Sequence, residues 1–466
     1  MIATTLAQVA ATTGARLAGA DPGARVSADV EVDSRRVAPG GLFVALPGER
    51  TDGHDHVPAA VAAGAVAALT ARPVPGSPCL VVPDPLAALQ ALAADTFARD
   101  QPRTFGITGS SGKTSTKDLL AHLLGDDVLA PVGSFNNELG LPLTLLRRTE
   151  RTRAAVLEYS ARGVGHIAFL AGLARPHVSL VLNVGSAHLG EFGSVEAIAR
   201  AKGELVEAVT AYGDEPPVVV LNADDPRVLA MSERAPAGSR VVLVGLSPQA
   251  QVRADDVQLD GGGRASFVLR TPAGDARVQL GLVGEHAVAN ALSAAAAALL
   301  VHDLETVAAR LATARPVSRW RMEVVERPDG VTVVNDAYNA NPDSMRAALK
   351  TLKVMGDRGE RRTVAVLGQM AELGEGARDA HMDLGRFVVR LDVGQLVVVG
   401  PEAGGIHAGA VLEGSWGSES IHVDDVDAAV ALLRGELAPG DVVLVKASRS
   451  AGLERVAAAL LDGAGG

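Results

Sequence analysis

The sequence predicts a three-domain α/β protein, and three observations carry that expectation. A chain of 466 residues is too long for one ordinary core. Two separate stretches alternate apolar, β-branched runs with helical segments, the pattern of mostly parallel sheets covered by helices. Between the first strand of the earlier stretch and its helix stands a glycine-rich loop, Gly106-Ile-Thr-Gly109-Ser110-Ser111-Gly112-Lys113-Thr114-Ser115-Thr116. The expected domains are a small mixed α/β domain over 1–82, a central phosphate-loop domain on a mostly parallel sheet over 83–314, and a C-terminal Rossmann-like α/β domain over 315–466.

In the first domain, short apolar runs (26–32, 42–46, 65–69 and 80–82) are separated by glycine and proline, including the loop Pro73-Val-Pro-Gly-Ser-Pro78. The central domain opens with a helical stretch over 85–99. Strands are expected at 104–108, 154–158, 178–184, 218–222 and 241–244. From 251 to 282 the pattern becomes short-stranded around Gly261-Gly-Gly263, as in a small antiparallel addition, and alanine-rich helices close the domain. In the third domain, strands at 331–335, 363–367, 396–399 and 442–445 alternate with helices at 343–354, 378–389 and 426–437. No GxGxxG fingerprint follows its first strand, so a closing domain is expected there rather than a dinucleotide site.

The loop carries the chemistry. Leu119, Leu120, Leu123 and Leu124 after it share one helix face. A turn between a strand and such a helix aims backbone N–H groups and the positive helix end at an anion. Lys113 would reach the β/γ-phosphates of ATP, and the Thr114 hydroxyl would ligate Mg2+. The first position of the usual GxxxxGK[ST] pattern is Ile107 here, with the glycines spaced as Gly109-x-x-Gly112-Lys113.

Composition narrows the remaining classes. Hydrophobic residues make up 48% and charged residues 21%, as suits a globular enzyme. A net charge of −11 without a long basic block gives no electrostatic support for nucleic acid. Cys79 is the only cysteine, which excludes an intrachain disulfide framework. The alanine-rich stretch 287–301 is shorter than a membrane span, and no signal-peptide pattern opens the chain. A cytoplasmic monomer with no membrane insertion is the expectation.

Ligands of open α/β sheets bind at the carboxyl ends of the strands. Glu158 ends one central strand and His188 follows another, in Asn183-Val-Gly-Ser-Ala-His188, so both are candidate metal ligands. Asn222-Ala-Asp224-Asp225 ends a third. Asp336-Ala-Tyr338-Asn339-Ala-Asn341-Pro342 follows the first strand of the last domain, dense in polar groups that suit a nucleotide or substrate. Lys446-Ala-Ser448-Arg449 follows the last long strand, where a cation and a hydroxyl could meet a carboxylate or phosphate. Lys202, in Ala201-Lys202-Gly-Glu204, reads by itself as an ordinary solvated lysine.

Taken together, these residues resemble the Mur ligases, ATP-dependent amide ligases that build the peptidoglycan peptide. The resemblance spans essentially the whole chain: the variant loop, Glu158, the Asn183–His188 segment, Lys202, Asn222–Asp225, Glu285-His286 with Asn290, and Arg321 in Arg319-Trp-Arg321-Met-Glu. Ser318 and Trp320 depart from the commoner glycine form, which makes Arg319 an alternative to Arg321. The segment Asp336–Met345 resembles the member that adds D-alanyl-D-alanine to a UDP-N-acetylmuramoyl-tripeptide, and not the tripeptide-forming member or a folate polyglutamate ligase.

The resemblance implies a set of roles. Gly109, Ser110, Ser111, Gly112, Lys113, Thr114, Ser115, Asn290, Arg321, Asp336 and Asn339 would bind nucleotide. Thr114, Glu158, His188 and a carbamylated Lys202 would hold Mg2+, with Lys113, Glu158, His188 and Lys202 as the catalytic set. The first domain would bind the UDP sugar through Ser34 and Arg35. Asn136, Asn137, Arg162, Lys446, Ser448 and Arg449 would bind the two peptide substrates.

Overall fold

The computed structural model describes residues 2–48, 51–99, 101–133, 135–185, 189–414 and 418–462. Three main sheets organise them, one for each expected domain.

The first is a five-stranded sheet ordered Arg16–Ala18, Cys79–Val81, Ala67–Thr70, Leu42–Val44, Val30–Glu31. Its strands are parallel except the Arg16–Ala18 edge. Two helices absent from the expectation, Leu6–Thr13 and Val57–Ala62, accompany it. The first starts at a capping box in which Thr5 and Gln8 satisfy each other's backbone N–H groups. The helix Pro85–Ala98 is capped by Asp84, and its Leu89, Leu92 and Phe97 share one core with strands of this sheet and with the central domain.

The central sheet has nine strands, ordered Val128–Leu129, Ala154–Glu158, Arg103–Thr108, Val178–Val181, Val218–Asn222, Arg240–Gly245, Val252–Leu259, Arg264–Thr271, Gly274–Val283. The first seven run parallel and the last two are added through antiparallel pairings, so the short-stranded addition extends the main sheet rather than standing apart. Phe105, Ile107, Val156, Leu180 and Val220 are buried together with Leu119, Leu120 and Leu123 of the helix Lys113–Leu124. Strands covered on both faces read as continuous apolar runs, which made them visible in sequence.

One strand ends earlier than its apolar run suggests. The expected 178–184 strand stops at Val181. The Leu182 N–H still bonds Thr108 O at 3.0 Å, but the Asn183 carbonyl then turns to accept Ser110 N–H at 3.1 Å. The chain leaves the sheet because it is needed by the phosphate loop.

The third sheet has six strands, ordered Glu323–Glu326, Thr332–Asn335, Val442–Lys446, Thr363–Leu367, Gln395–Val399, Ser420–Val423, all parallel except the first. The helix Pro342–Gly359 starts at a capping box between Asn341 and Ser344 and runs five residues beyond the expected end. Ala377–Arg390 and Val426–Glu436 match their expected positions within a residue. Gly404–Glu413, Ser420–Val423 and Glu454–Asp462 are additional.

Among the described residues the central and third domains touch at several points, two of which differ in kind. At one, Val283 packs into the third-domain core that includes Met345, Leu352 and Met355. At the other, Gly190 faces the Gly374 backbone so closely that a Cβ on Gly190 would lie 3.0 Å from Gly374 N. No described helix is long and apolar enough to cross a membrane.

Candidate active site

The carboxyl ends of the central strands and of Thr332–Asn335 and Val442–Lys446 meet across a cleft of about 420 Å³. The cleft collects Ser110 to Ser115, Asn136, Asn137, Glu158, Arg162, Asn290, Arg321, Asp336, Asn339 and Lys446 from positions up to hundreds of residues apart. The expected nucleotide residues thus share one space, with Gly109 beneath it.

Gly112 has φ +80° and opens the helix that carries Lys113 and Thr114. A Cβ there would overlap the Asn290 amide, so only glycine lets the loop lie against that helix. The Asn183 side chain ties the loop from behind: its Oδ1 accepts Ser111 N–H at 2.9 Å, and its amide donates to Ser111 O at 3.3 Å. Lys113 Nζ donates to Gly109 O at 2.6 Å and bridges the loop's two ends. Burial pushes the Lys113 ammonium below its ordinary pKa; Glu158 opposes that shift and Arg321 adds to it.

Glu158 is fully buried. One of its oxygens accepts from Thr114 Oγ1 at 3.2 Å and from the Asn136 amide at 3.1 Å. The other, Oε1, is buried with no hydrogen-bond partner. A buried carboxylate oxygen left bare is costly unless a cation or donor meets it, so this pair fits a hard divalent ion. Among the described residues no three His, Cys, Asp or Glu side chains form a metal cluster. His188 lies outside the described residues.

Lys202 is buried, contrary to the solvated reading of the residue alone. Burial drives its pKa well below the usual lysine range, and Lys113 pushes it the same way. Two residues on, the Glu204 carboxylate accepts Gly165 N–H at 2.5 Å and Ala168 N–H at 2.9 Å, fixing the start of the helix His166–Leu173 beside Arg162.

From the third domain, Lys446 is buried and pairs with Asp336 at 2.6 Å while donating to Asn339 O at 2.9 Å. Asp336 also accepts the Met322 N–H at 3.1 Å. Arg321 lies with its guanidinium 4.2 Å from the Tyr338 ring centroid, and its Nε is buried without a partner. Arg319 is exposed and does not line the cleft, so the alternative raised by the sequence goes to Arg321. Trp320 (φ +59°) and Met322 (φ +50°) flank Arg321 in the left-handed region, a conformation that costs a non-glycine residue strain.

Ser448 and Arg449 line a second cavity of about 260 Å³, next to Asn339, Asn341 and Glu372. Ser448 Oγ accepts Ala371 N–H at 2.9 Å, and the Arg449 guanidinium lies 4.2 Å from the Trp320 ring centroid. Ser34 and Arg35 lie outside both cavities, where Arg35 is exposed and pairs with Asp33 at 2.7 Å.

Family models match the chain in three consecutive parts. The model for the Mur ligase family catalytic domain matches residues 28–95, that for the Mur ligase middle domain 107–298, and that for the Mur ligase glutamate ligase domain 320–449. A UDP-N-acetylmuramoyl-tripeptide–D-alanyl-D-alanine ligase of Mycobacterium tuberculosis is 51% identical, over 99% of this chain and 98% of its own. The chain belongs to the Mur ligase family. Among solved structures, a MurF from Acinetobacter baumannii superposes on this Mur ligase with a TM-score of 0.87 at 31% identity, covering 99% of both chains. A MurF ligase from Thermotoga maritima in complex with ADP does so with 0.79 at 29%, covering 94% of this chain and 98% of that one.

Of the other residues in this Mur ligase's cleft, His286 belonged to the segments that carried the resemblance, whereas Asp118 and His166 gave no distinct sequence signal. Asp118 and His166 line it, the latter 3.4 Å from Glu138. His286 lies there with Nδ1 buried and unpartnered; burial lowers its pKa, against the pull of Asp336. Gly112→Ala is expected to weaken ADP binding roughly tenfold or more, since the residue would carry both left-handed strain and the Asn290 overlap. Calorimetric titration measures this; an unchanged Kd would mean the loop does not grip phosphate.

Proposed function

We propose that this chain is an ATP-dependent amide ligase that joins D-alanyl-D-alanine to the terminal carboxylate of a UDP-N-acetylmuramoyl-tripeptide, giving the pentapeptide precursor of peptidoglycan. One observation carries the reading: the phosphate loop and the Asp336–Asn341 segment line one cleft. The names of the full-length relatives agree with it.

In this reading the tripeptide carboxylate attacks the γ-phosphorus of ATP. The bond to the β–γ bridging oxygen breaks, ADP leaves and an acyl phosphate forms. The amine of D-alanyl-D-alanine then attacks the acyl carbon, loses a proton, and the tetrahedral intermediate expels inorganic phosphate. The loop N–H groups from Gly109 to Ser115 and the Lys113 ammonium would take up charge on the β/γ-phosphates. Thr114, Glu158 and His188 would hold Mg2+, which when bound neutralises phosphate charge. Asn290, Arg321, Asp336 and Asn339 would contact nucleotide as the domains close and exclude water from the acyl phosphate. Asn136, Asn137 and Arg162 would orient the tripeptide. Lys446 would set the Asp336 carboxylate and the Asn339 backbone between the two substrates, and the cavity at Ser448 and Arg449 would receive the incoming dipeptide. Ser34 and Arg35 would contact the UDP sugar.

Burial disfavours the charged form of Lys202, and the neutral amine has a free lone pair. It would add to CO2, forming an N–C bond and releasing a proton, and the carbamate anion would face Lys113 with attraction in place of repulsion. The enzyme would act as a monomer, in the cytoplasm where ATP is made available, and its net charge of −11 favours no nucleic-acid partner. The test is phosphate release by purified protein given ATP, Mg2+, UDP-N-acetylmuramoyl-tripeptide and D-alanyl-D-alanine. Release should require all four, and none with the complete mixture would overturn the ligase reading.

A further inference from the structure

The second turn of the phosphate-loop helix holds a buried ion pair that the proposed reaction does not use. Lys117 and Asp118 follow Lys113 and Thr114 by four residues, one helical turn along the same faces. The Lys117 side chain is 2% exposed. Its ammonium lies 2.6 Å from Asp118 Oδ1 and donates to Pro131 O at 2.8 Å and Gly133 O at 3.2 Å. These three oxygens match the three donors of an ammonium. The other Asp118 oxygen accepts the Ser318 N–H at 3.2 Å.

Each contact leads to a different part of the cleft. Pro131 and Gly133 precede Asn136, whose amide holds Glu158, and Asn137 and Glu138, which line the cleft. Ser318 lies on the segment between the central and third domains, three residues before Arg321. A buried ion pair is a poor source of net stability, since apolar residues of similar volume often stabilise as well or better. What it supplies is direction: each hydrogen bond fixes one backbone atom against a rigid helix.

We propose that Lys117 and Asp118 are positioning residues that tie the phosphate-loop helix to the tripeptide loop and to the interdomain segment respectively. The proposal rests on the ligase reading and assigns the two side chains separable effects. Lys117 sets the loop that meets the tripeptide. Asp118 sets the segment that brings Arg321 over the nucleotide when the domains close.

The test compares Lys117→Met, Asp118→Ala and Asp118→Asn in steady-state assays against each substrate. Lys117→Met should raise KM for the UDP-tripeptide roughly tenfold, the size of one charged hydrogen bond lost, with KM for ATP changed less than about twofold. Asp118→Ala should lower kcat by about the same factor and leave KM for the UDP-tripeptide near the wild-type value. Asp118→Asn keeps an oxygen for the Ser318 N–H and should recover most of that kcat. Parallel losses in all constants, or no loss, would overturn the proposal. Should Lys117→Met fail to fold, the Asn against Ala comparison at 118 decides alone, and equal kcat in those two variants overturns it. Wild-type protein runs alongside: turnover there with no split among the variants rejects the positioning roles only, whereas no wild-type turnover rejects the ligase reading beneath them.

Discussion

Replacing Lys113 by alanine should abolish ligation while leaving the protein folded. The expected fall in kcat is on the order of 10³-fold, the loss seen when one preorganised group facing developing charge is removed. Lys113 is the cation of the loop, held by Gly109 O at 2.6 Å with Glu158 nearby. The fold should tolerate the change because the charged form is disfavoured where it sits. A lysine whose folded pKa lies below its unfolded value loses stability as pH falls from the unfolded value towards the depressed one. At neutral pH it therefore contributes a penalty, and alanine removes that penalty. Circular dichroism and a thermal melt check the fold, and phosphate release checks the chemistry. Near-normal release would sink the assignment of the loop to ATP.

Lys202→Ala should cost a comparable factor, but with a recovery that Lys113→Ala lacks. If CO2 turns the buried amine into an anionic carbamate, the alanine variant leaves space beside Lys113 with no anion in it. Formate or acetate at high concentration should then restore part of the activity, and the same salts should leave Lys113→Ala inactive. Burial, reinforced by Lys113, favours the neutral amine that the carbamate requires. A Lys202→Ala enzyme that no short carboxylate improves would count against the carbamate.

The sheets were legible because their strands are apolar on both faces: Ala154–Glu158, Val218–Asn222 and Thr363–Leu367 fall at the residues expected. The helix expected from 343 begins one residue earlier, at Pro342, where the Asn341 side chain caps it. The first-domain strands, only two to four residues long, offer too short a period to bound. At the site, the loop spacing and polar segments after strands located most of the cleft. What stayed hidden depends on partners far along the chain. Lys202 reads as solvated until its helix is packed. Lys117 and Asp118 look like two charges on an amphipathic helix until Pro131, Gly133 and Ser318 arrive. Trp320 gives no sign that it must turn left-handed.

Those two points of contact between the central and third domains differ in what separation would expose. Parting Val283 from Met345, Leu352 and Met355 would bring apolar surface into water. Parting Gly190 from Gly374 would uncover mainly peptide groups, which water can solvate. The molecule is thus fastened like a book, with a bound spine and a fore-edge that closes on peptide groups. Substrates held between the pages would add to the free energy that keeps the fore-edge shut.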